Sequence, residues 1–151
     1  MRNNVMAKFD KQFDVKGLKE DLKNVSANQA QYKDVPLGDY EVKVEKLELV
    51  EAKSGNPMVS CWMRILDGGF KNSIIFMNQV VHTSFGLHIA NDFLRSLDSG
   101  VDVDFESFTQ YHEMLMNLHE AIDGKFEYAV EYGETKKGFK TFKIKEVFEV
   151  Q

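Results

Sequence analysis

The spacing of apolar residues along this chain changes period twice, and that constrains the fold more than any other feature. Over residues 38–50, Tyr40, Val42 and Val44 alternate with Glu41, Lys43 and Glu45, the period-two pattern of a strand with one buried face. The phase then slips. Glu45 and Lys46 are both polar, and Leu47 and Leu49 resume the apolar face. A slip of one residue is what a β-bulge produces, and a long bent first strand is how a small barrel turns a corner. After the turn Ser54-Gly55-Asn56-Pro57, a second strand over 58–67 places Val59, Cys61, Met63 and Ile65 on the core side and Ser60, Trp62 and Arg64 on the other. Asp67-Gly68-Gly69 predicts a tight turn into a third strand over 71–81, with Ile75 and Met77 inward and Ile74, Phe76 and Asn78 outward.

From residue 83 the period becomes helical. Thr83 or Ser84 caps a helix carrying Ile89, Phe93, Leu94 and Leu97, which stops before Gly100. A second helix follows, with Phe108, Tyr111, Leu115, Leu118 and Ile122 on one stripe. Asp104 and Glu106 stand at its start, where the helix dipole favours negative charge, and Gly124 ends it. Period two then returns: Phe126, Tyr128, Val130 and Tyr132 alternate with Glu127, Ala129 and Glu131, and after a Gly133–Gly138 turn a last strand runs over 139–147.

Three strands, a helical insert over 83–123 and two more strands make a mainly β domain over residues 37–151. The expected architecture is a five-stranded, OB-fold-like Greek-key barrel with the helical insert between strands 3 and 4. An open α+β sheet and another small barrel share this order and stay open as alternatives. Residues 1–36 read as an N-terminal helical extension. Leu18, Leu22 and Val25 lie on one face of a short helix, and a polar linker ends at Pro36.

Composition narrows the function classes. One cysteine, Cys61, excludes an internal disulfide and fits a reducing compartment. The N-terminal residues lack the apolar core of a secretory signal, and no apolar run reaches the ~18 residues that a membrane span needs, so no membrane association is expected. The net charge is −5, but residues 83–123 hold one basic and eight acidic residues, leaving a net +2 on the rest of the chain. A positive strip away from the helical insert is therefore compatible with the total.

Catalytic constellations are missing from the sequence. His112-Glu113 opens like the zinc motif HExxH, but Met116 stands where the second histidine belongs. His112 and His119, seven apart, can share a helix face. Asp102, Asp104, Glu106 and Glu113 fall at calcium-loop spacings, but Ser107 stands where the loop needs glycine. No compact acidic set lies on the strands, which leaves a metal-dependent nuclease without ligands. No enzyme activity, metal or cofactor is expected.

What remains is a binding face. Trp62 and Arg64 share the outer side of strand 2, with Phe76 on strand 3, Lys43 on strand 1, and Phe139, Lys143 and Lys145 on strand 5. Lys53 stands in the first hairpin loop, and Lys136 and Lys137 in the last. In OB-folds the face of strands 2 and 3 and these two loops bind oligonucleotides. Exposed aromatics offer planes on which unpaired bases stack, while lysines follow the phosphates. The competing reading is that the outward rings are covered by the helices or the extension. A further alternative is a protein-interaction module, in which the same strip docks a phage or host protein.

The text itself carries a resemblance. PLGDYEVKVEKLELVEAKSGNPMVSCWMRIL, then GGFKNSIIFMNQVV and TSFGLHIANDFLRSL, resemble a family of phage and prophage proteins catalogued as a domain of unknown function and often described as single-stranded-DNA-binding. The resemblance covers residues 36–100 best. It implies an OB-like fold, sequence-tolerant single-stranded DNA binding in phage DNA replication or recombination, and contacts at Lys53, Trp62, Arg64 and Phe76. It also implies a phage recombinase or nuclease as partner, a homo-oligomer, and a location in the host bacterial cytoplasm. Where bacterial single-strand binders often end in an acidic tail, this chain ends FKIKEVFEVQ, which reads as a strand.

Overall fold

In a computed structural model, which describes residues 35–151, the slipped alternation forms one long strand. This is β1, Gly38–Glu51. Its register against β2, Pro57–Ile65, shifts between Val44 and Lys46, the position of the phase slip. The bulge keeps Val42, Val44 and Leu47 all in the core although the spacing between the last two is odd. Expectations for residues 1–34, including the short helix with Leu18, Leu22 and Val25, lie outside the described residues.

Strand β2 behaves as its alternation dictates. Val59, Cys61, Met63 and Ile65 have no exposed surface. Strand β3, Ile74–Val80, is shorter than the expected 71–81. The Asp67-Gly68-Gly69 turn is wider than a tight hairpin because the chain coils between Gly68 and Ser73. The Lys71 N–H donates to the Gly68 carbonyl and the Ser73 N–H to the Phe70 carbonyl. Asn72 adopts φ 74°, a conformation that asparagine tolerates better than most residues.

The insert forms two helices. In α1, Ser84–Ser96, the cap is Thr83, whose Oγ1 accepts from the Gly86 N–H at 3.0 Å. Its buried stripe is Gly86, Ala90, Phe93 and Leu94, while Ile89, expected on the core face, is 38% exposed. The reason is close approach. A Cβ on Gly86 would stand 2.2 Å from the Val80 carbonyl oxygen, so small residues face the sheet there, and counting large apolar side chains misplaces the stripe by about one position. In α2, Phe108–Ile122, Ser107 Oγ caps the Gln110 N–H at 3.1 Å. Tyr111, Met114, Leu115, Leu118 and Ile122 are buried. Phe108, expected on that stripe, is 42% exposed and rests edge-on against Phe105. Each fully buried leucine of this stripe contributes roughly 1.5–3 kcal/mol.

Strands β4, Phe126–Glu134, and β5, Lys140–Glu149, form the final hairpin. All pairings are antiparallel, in the order β3-β2-β1-β4-β5. The described residues therefore form one five-stranded open sheet with two helices, with β3 and β5 as its edges. The β3–β5 pairing that would close the expected barrel is not formed among the described residues. Helix α2 packs on β1, and α1 touches both β3 and β5. The Tyr128 hydroxyl donates to the Leu97 carbonyl at 2.7 Å, fastening β4 to the end of α1. The core lies between the helices and the inner face of the sheet, and the outward Trp62 and Phe76 of β2 and β3 are not part of it.

Candidate functional site

Pairing register assembles the outer face row by row, because residues directly opposite in antiparallel strands project from the same side. Trp62 stands opposite Lys46 on β1 and opposite Phe76 on β3. This makes one row, Lys46–Trp62–Phe76, across three strands. The next row is Lys43–Arg64–Ile74. The Trp62 and Phe76 rings meet edge to face, with centroids 5.4 Å apart and planes inclined at 80°. Phe76 is 49% exposed and Trp62 is half-buried, so an open aromatic ledge lies on the sheet. The Lys46 ammonium sits 4.5 Å from the centre of the Trp62 ring, within cation–π range.

Two carboxylates border this ledge. Lys46 Nζ lies 3.1 Å from Glu48 Oε1. Arg64 donates from Nε to Glu45 Oε1 at 3.0 Å and from Nη2 to Glu45 Oε2 at 2.7 Å. Its remaining terminal nitrogen, Nη1, donates to the Asn72 carbonyl at 2.7 Å. Arg64 thus clamps the β1 bulge to the β2–β3 turn with a planar, two-toothed grip that lysine cannot reproduce.

The other expected contacts are distributed along the sheet. Lys43 is exposed beside Arg64. Lys53 is exposed in the β1–β2 turn, and Lys136 and Lys137 in the β4–β5 turn. Phe139 precedes β5 and is 68% exposed, its N–H held by Thr135 Oγ1. Lys143 is exposed on β5 opposite Glu131, and Lys145 reaches Asp39 at 3.6 Å. Trp62, Phe76, Arg64 and Lys43 are therefore brought together. Phe139, Lys136, Lys137 and Lys143 belong to the β4–β5 hairpin, on the other side of β1 in strand order.

Sequence reading missed Lys46, Glu45 and Glu48. The bulge was the available signal. Once β1 slips at Glu45–Lys46, Lys46 shares a side with Lys43 rather than opposing it. A second aromatic group was also missed. Tyr132 and Phe142 stack at 5.5 Å with Lys140 5.9 Å from the Tyr132 ring. Nearby on β1, burial and then the neighbouring Tyr132 push the Tyr40 phenol above its ordinary value.

A groove of about 570 Å³ runs between β1 and α2. His112 and His119 both line it, as a shared helix face requires, together with Met116, Glu120 and Asp123 of the helix side and Lys46, Leu47 and Glu48 of β1, so Lys46 borders both this groove and the Trp62 ring. His119 Nε2 is buried there without a hydrogen-bond partner. No group of three or more His, Cys, Asp or Glu side chains is arranged to hold a metal ion among the described residues. Cys61 is enclosed in the core, where burial pushes its thiol up and suppresses the reactive thiolate. No helix among the described residues is long and apolar enough to cross a membrane.

No curated protein matches the chain. A family model described as "Protein of unknown function (DUF669)" matches residues 22–143, which takes in the whole outer ledge, both helices and most of the sheet. The chain belongs to the DUF669 family.

Proposed function

We propose that this protein binds single-stranded DNA without strong sequence preference, as part of phage DNA replication or recombination in the host bacterial cytoplasm. The observation that carries the reading is the Trp62–Phe76 ledge, with Phe76 half exposed and flanked by Lys46 and Lys43. Bases of a single strand stack on such rings, at ~1–3 kcal/mol per base. A duplex keeps its base faces paired and stacked, and gains little from them. The fold proposed for this role is an OB-like barrel. The strand order and the contact of α1 with both sheet edges support it, since a helix touching β3 and β5 together draws those edges toward one another. In this role the protein protects the strand or passes it to a recombinase or nuclease, acting as a homo-oligomer.

The test uses the chain's one tryptophan. Titrating Trp62 fluorescence with a ~30-nucleotide oligo-dT at two salt concentrations, with duplex as control, reads the ledge directly. Quenching by the single strand and not by the duplex is the expected result. Unchanged fluorescence together with no gel shift overturns it.

A second reading has its own observation. The β1–α2 groove sets Glu120 and Asp123 beside Met116 and Leu47, while Glu48 and Lys46 in the same lining pair with each other, a net acidic and partly apolar lining suited to a basic segment of a phage or host protein. That reading expects no affinity for any oligonucleotide, and binding of a partner that is lost on reversing the charge of Glu120 and Asp123.

A further inference from the structure

Two of the three cations of the ledge are not free. Lys46 is held by Glu48 and Arg64 by both oxygens of Glu45, while the third Arg64 nitrogen, Nη1, donates to the Asn72 carbonyl. Lys43, in the adjoining row, forms no ion pair among the described residues. The two carboxylates come from β1 itself, Glu45 at the bulge and Glu48 three residues beyond it. The pattern therefore follows from the local fold, which brings Glu45 to Arg64 and Glu48 to Lys46.

We infer that Glu45 and Glu48 are specificity-determining residues, which rests on the single-strand-binding reading: by occupying Arg64 and Lys46 they cancel the charge of these two cations and leave Lys43 alone, so that Trp62 and Phe76 select a strand more by its unpaired base faces than by its phosphates. A phosphate reaching Lys46 or Arg64 has to displace a carboxylate already in place, so little net charge pairing is gained. Counterions released from the nucleic acid are what make binding salt-dependent, at a slope of about −0.7 per neutralised phosphate for single strands. A ledge with Arg64 and Lys46 internally paired adds little to that slope beyond Lys43. It also withholds the sequence-blind attraction by which a bare cationic strip captures duplex and single strand alike. Stacking is unaffected, because the rings carry it.

The test is a salt titration of the full chain with oligo-dT and with duplex of equal length, comparing the natural protein with Glu45→Gln/Glu48→Gln. Freeing both cations is expected to steepen the single-strand slope by about 1.4, and to raise duplex affinity tenfold or more. Glu48→Gln alone, which leaves the Arg64 clamp intact, is expected to give about half the steepening. The control Glu106→Gln/Glu113→Gln raises net charge equally at exposed positions of the insert that line no part of the β1–α2 groove. An equal response in that control assigns the effect to net charge and overturns the inference. An unchanged slope and unchanged duplex affinity in a folded Glu45→Gln/Glu48→Gln variant overturns the inference while leaving single-strand binding intact. Absence of oligo-dT binding by the natural protein overturns both.

Discussion

The Lys46 ammonium lies 4.5 Å from the centre of the Trp62 ring because the β1 bulge, between Val44 and Lys46, turns that lysine to the outer face opposite Trp62. Without the bulge, strict alternation would set Lys46 on the same side as Val42 and Val44, in the core. One extra residue in a strand thus decides both the shape of the sheet and the composition of the ledge.

Replacing the two rings of the ledge should separate binding from folding. Trp62→Ala/Phe76→Ala is expected to weaken oligo-dT binding tenfold or more, since loss of one good base stack exceeds ~1.4 kcal/mol. The thermal transition should move little, because neither ring belongs to the buried core. Anisotropy with a labelled oligonucleotide, alongside a melting curve, checks both halves. Unchanged affinity in the folded variant removes these residues from the site.

Gly86 offers a test in which helix propensity and packing oppose each other. Alanine in place of glycine inside a helix usually stabilises by about 1 kcal/mol. Here the new Cβ would stand 2.2 Å from the Val80 carbonyl oxygen, a backbone atom with no rotamer to move away. Overpacking of this kind costs about 1–3 kcal/mol, so Gly86→Ala is expected to be net destabilising in urea unfolding. A stabilised variant would show that α1 does not press on β3 as described.

Tyr128→Phe removes one hydroxyl from the junction of β4 and α1. Its loss leaves the Leu97 carbonyl without that 2.7 Å donor, at a cost of about 1–2 kcal/mol. The ledge lies on the opposite face of the sheet, so oligo-dT affinity should stay within twofold of the natural protein. A variant that loses binding without losing stability would contradict this separation.

Alkaline pH should destabilise the fold. Burial pushes the Tyr111 phenol up from 10.0 to about 12, partly offset by Arg95, and burial pushes Tyr128 up as well, with Asp98 and Cys61 adding to it. A phenol whose folded pKa lies above its unfolded value binds more protons when folded. Its stabilising contribution is complete below about pH 10 and is lost as pH rises toward 12, at no more than about 1.4 kcal/mol per pH unit for each group. Urea unfolding between pH 8 and 11 is expected to show a plateau followed by a fall. Tyr111→Phe should shallow that fall, and an unaltered slope would place the loss elsewhere.

Local alternation determined much of this protein from sequence alone. The five strands, the bulge at Glu45–Lys46, the two helices with the first cap narrowed to Thr83 or Ser84, and the outward placement of Trp62 and Phe76 are all legible, because each depends on side chains within a few residues of one another. What the sequence left open was decided by approach distances between distant segments. The burial of Gly86 and Ala90 in place of Ile89 depends on how near α1 comes to Val80. The wide β2–β3 turn depends on the Arg64 clamp to Asn72. The pairing of Lys46 with Trp62 and Glu48, and of Arg64 with Glu45, depends on register between strands. Composition counts those two cations as available for phosphate, and only the tertiary structure, by setting a carboxylate within about 3 Å of each, shows that they are already engaged.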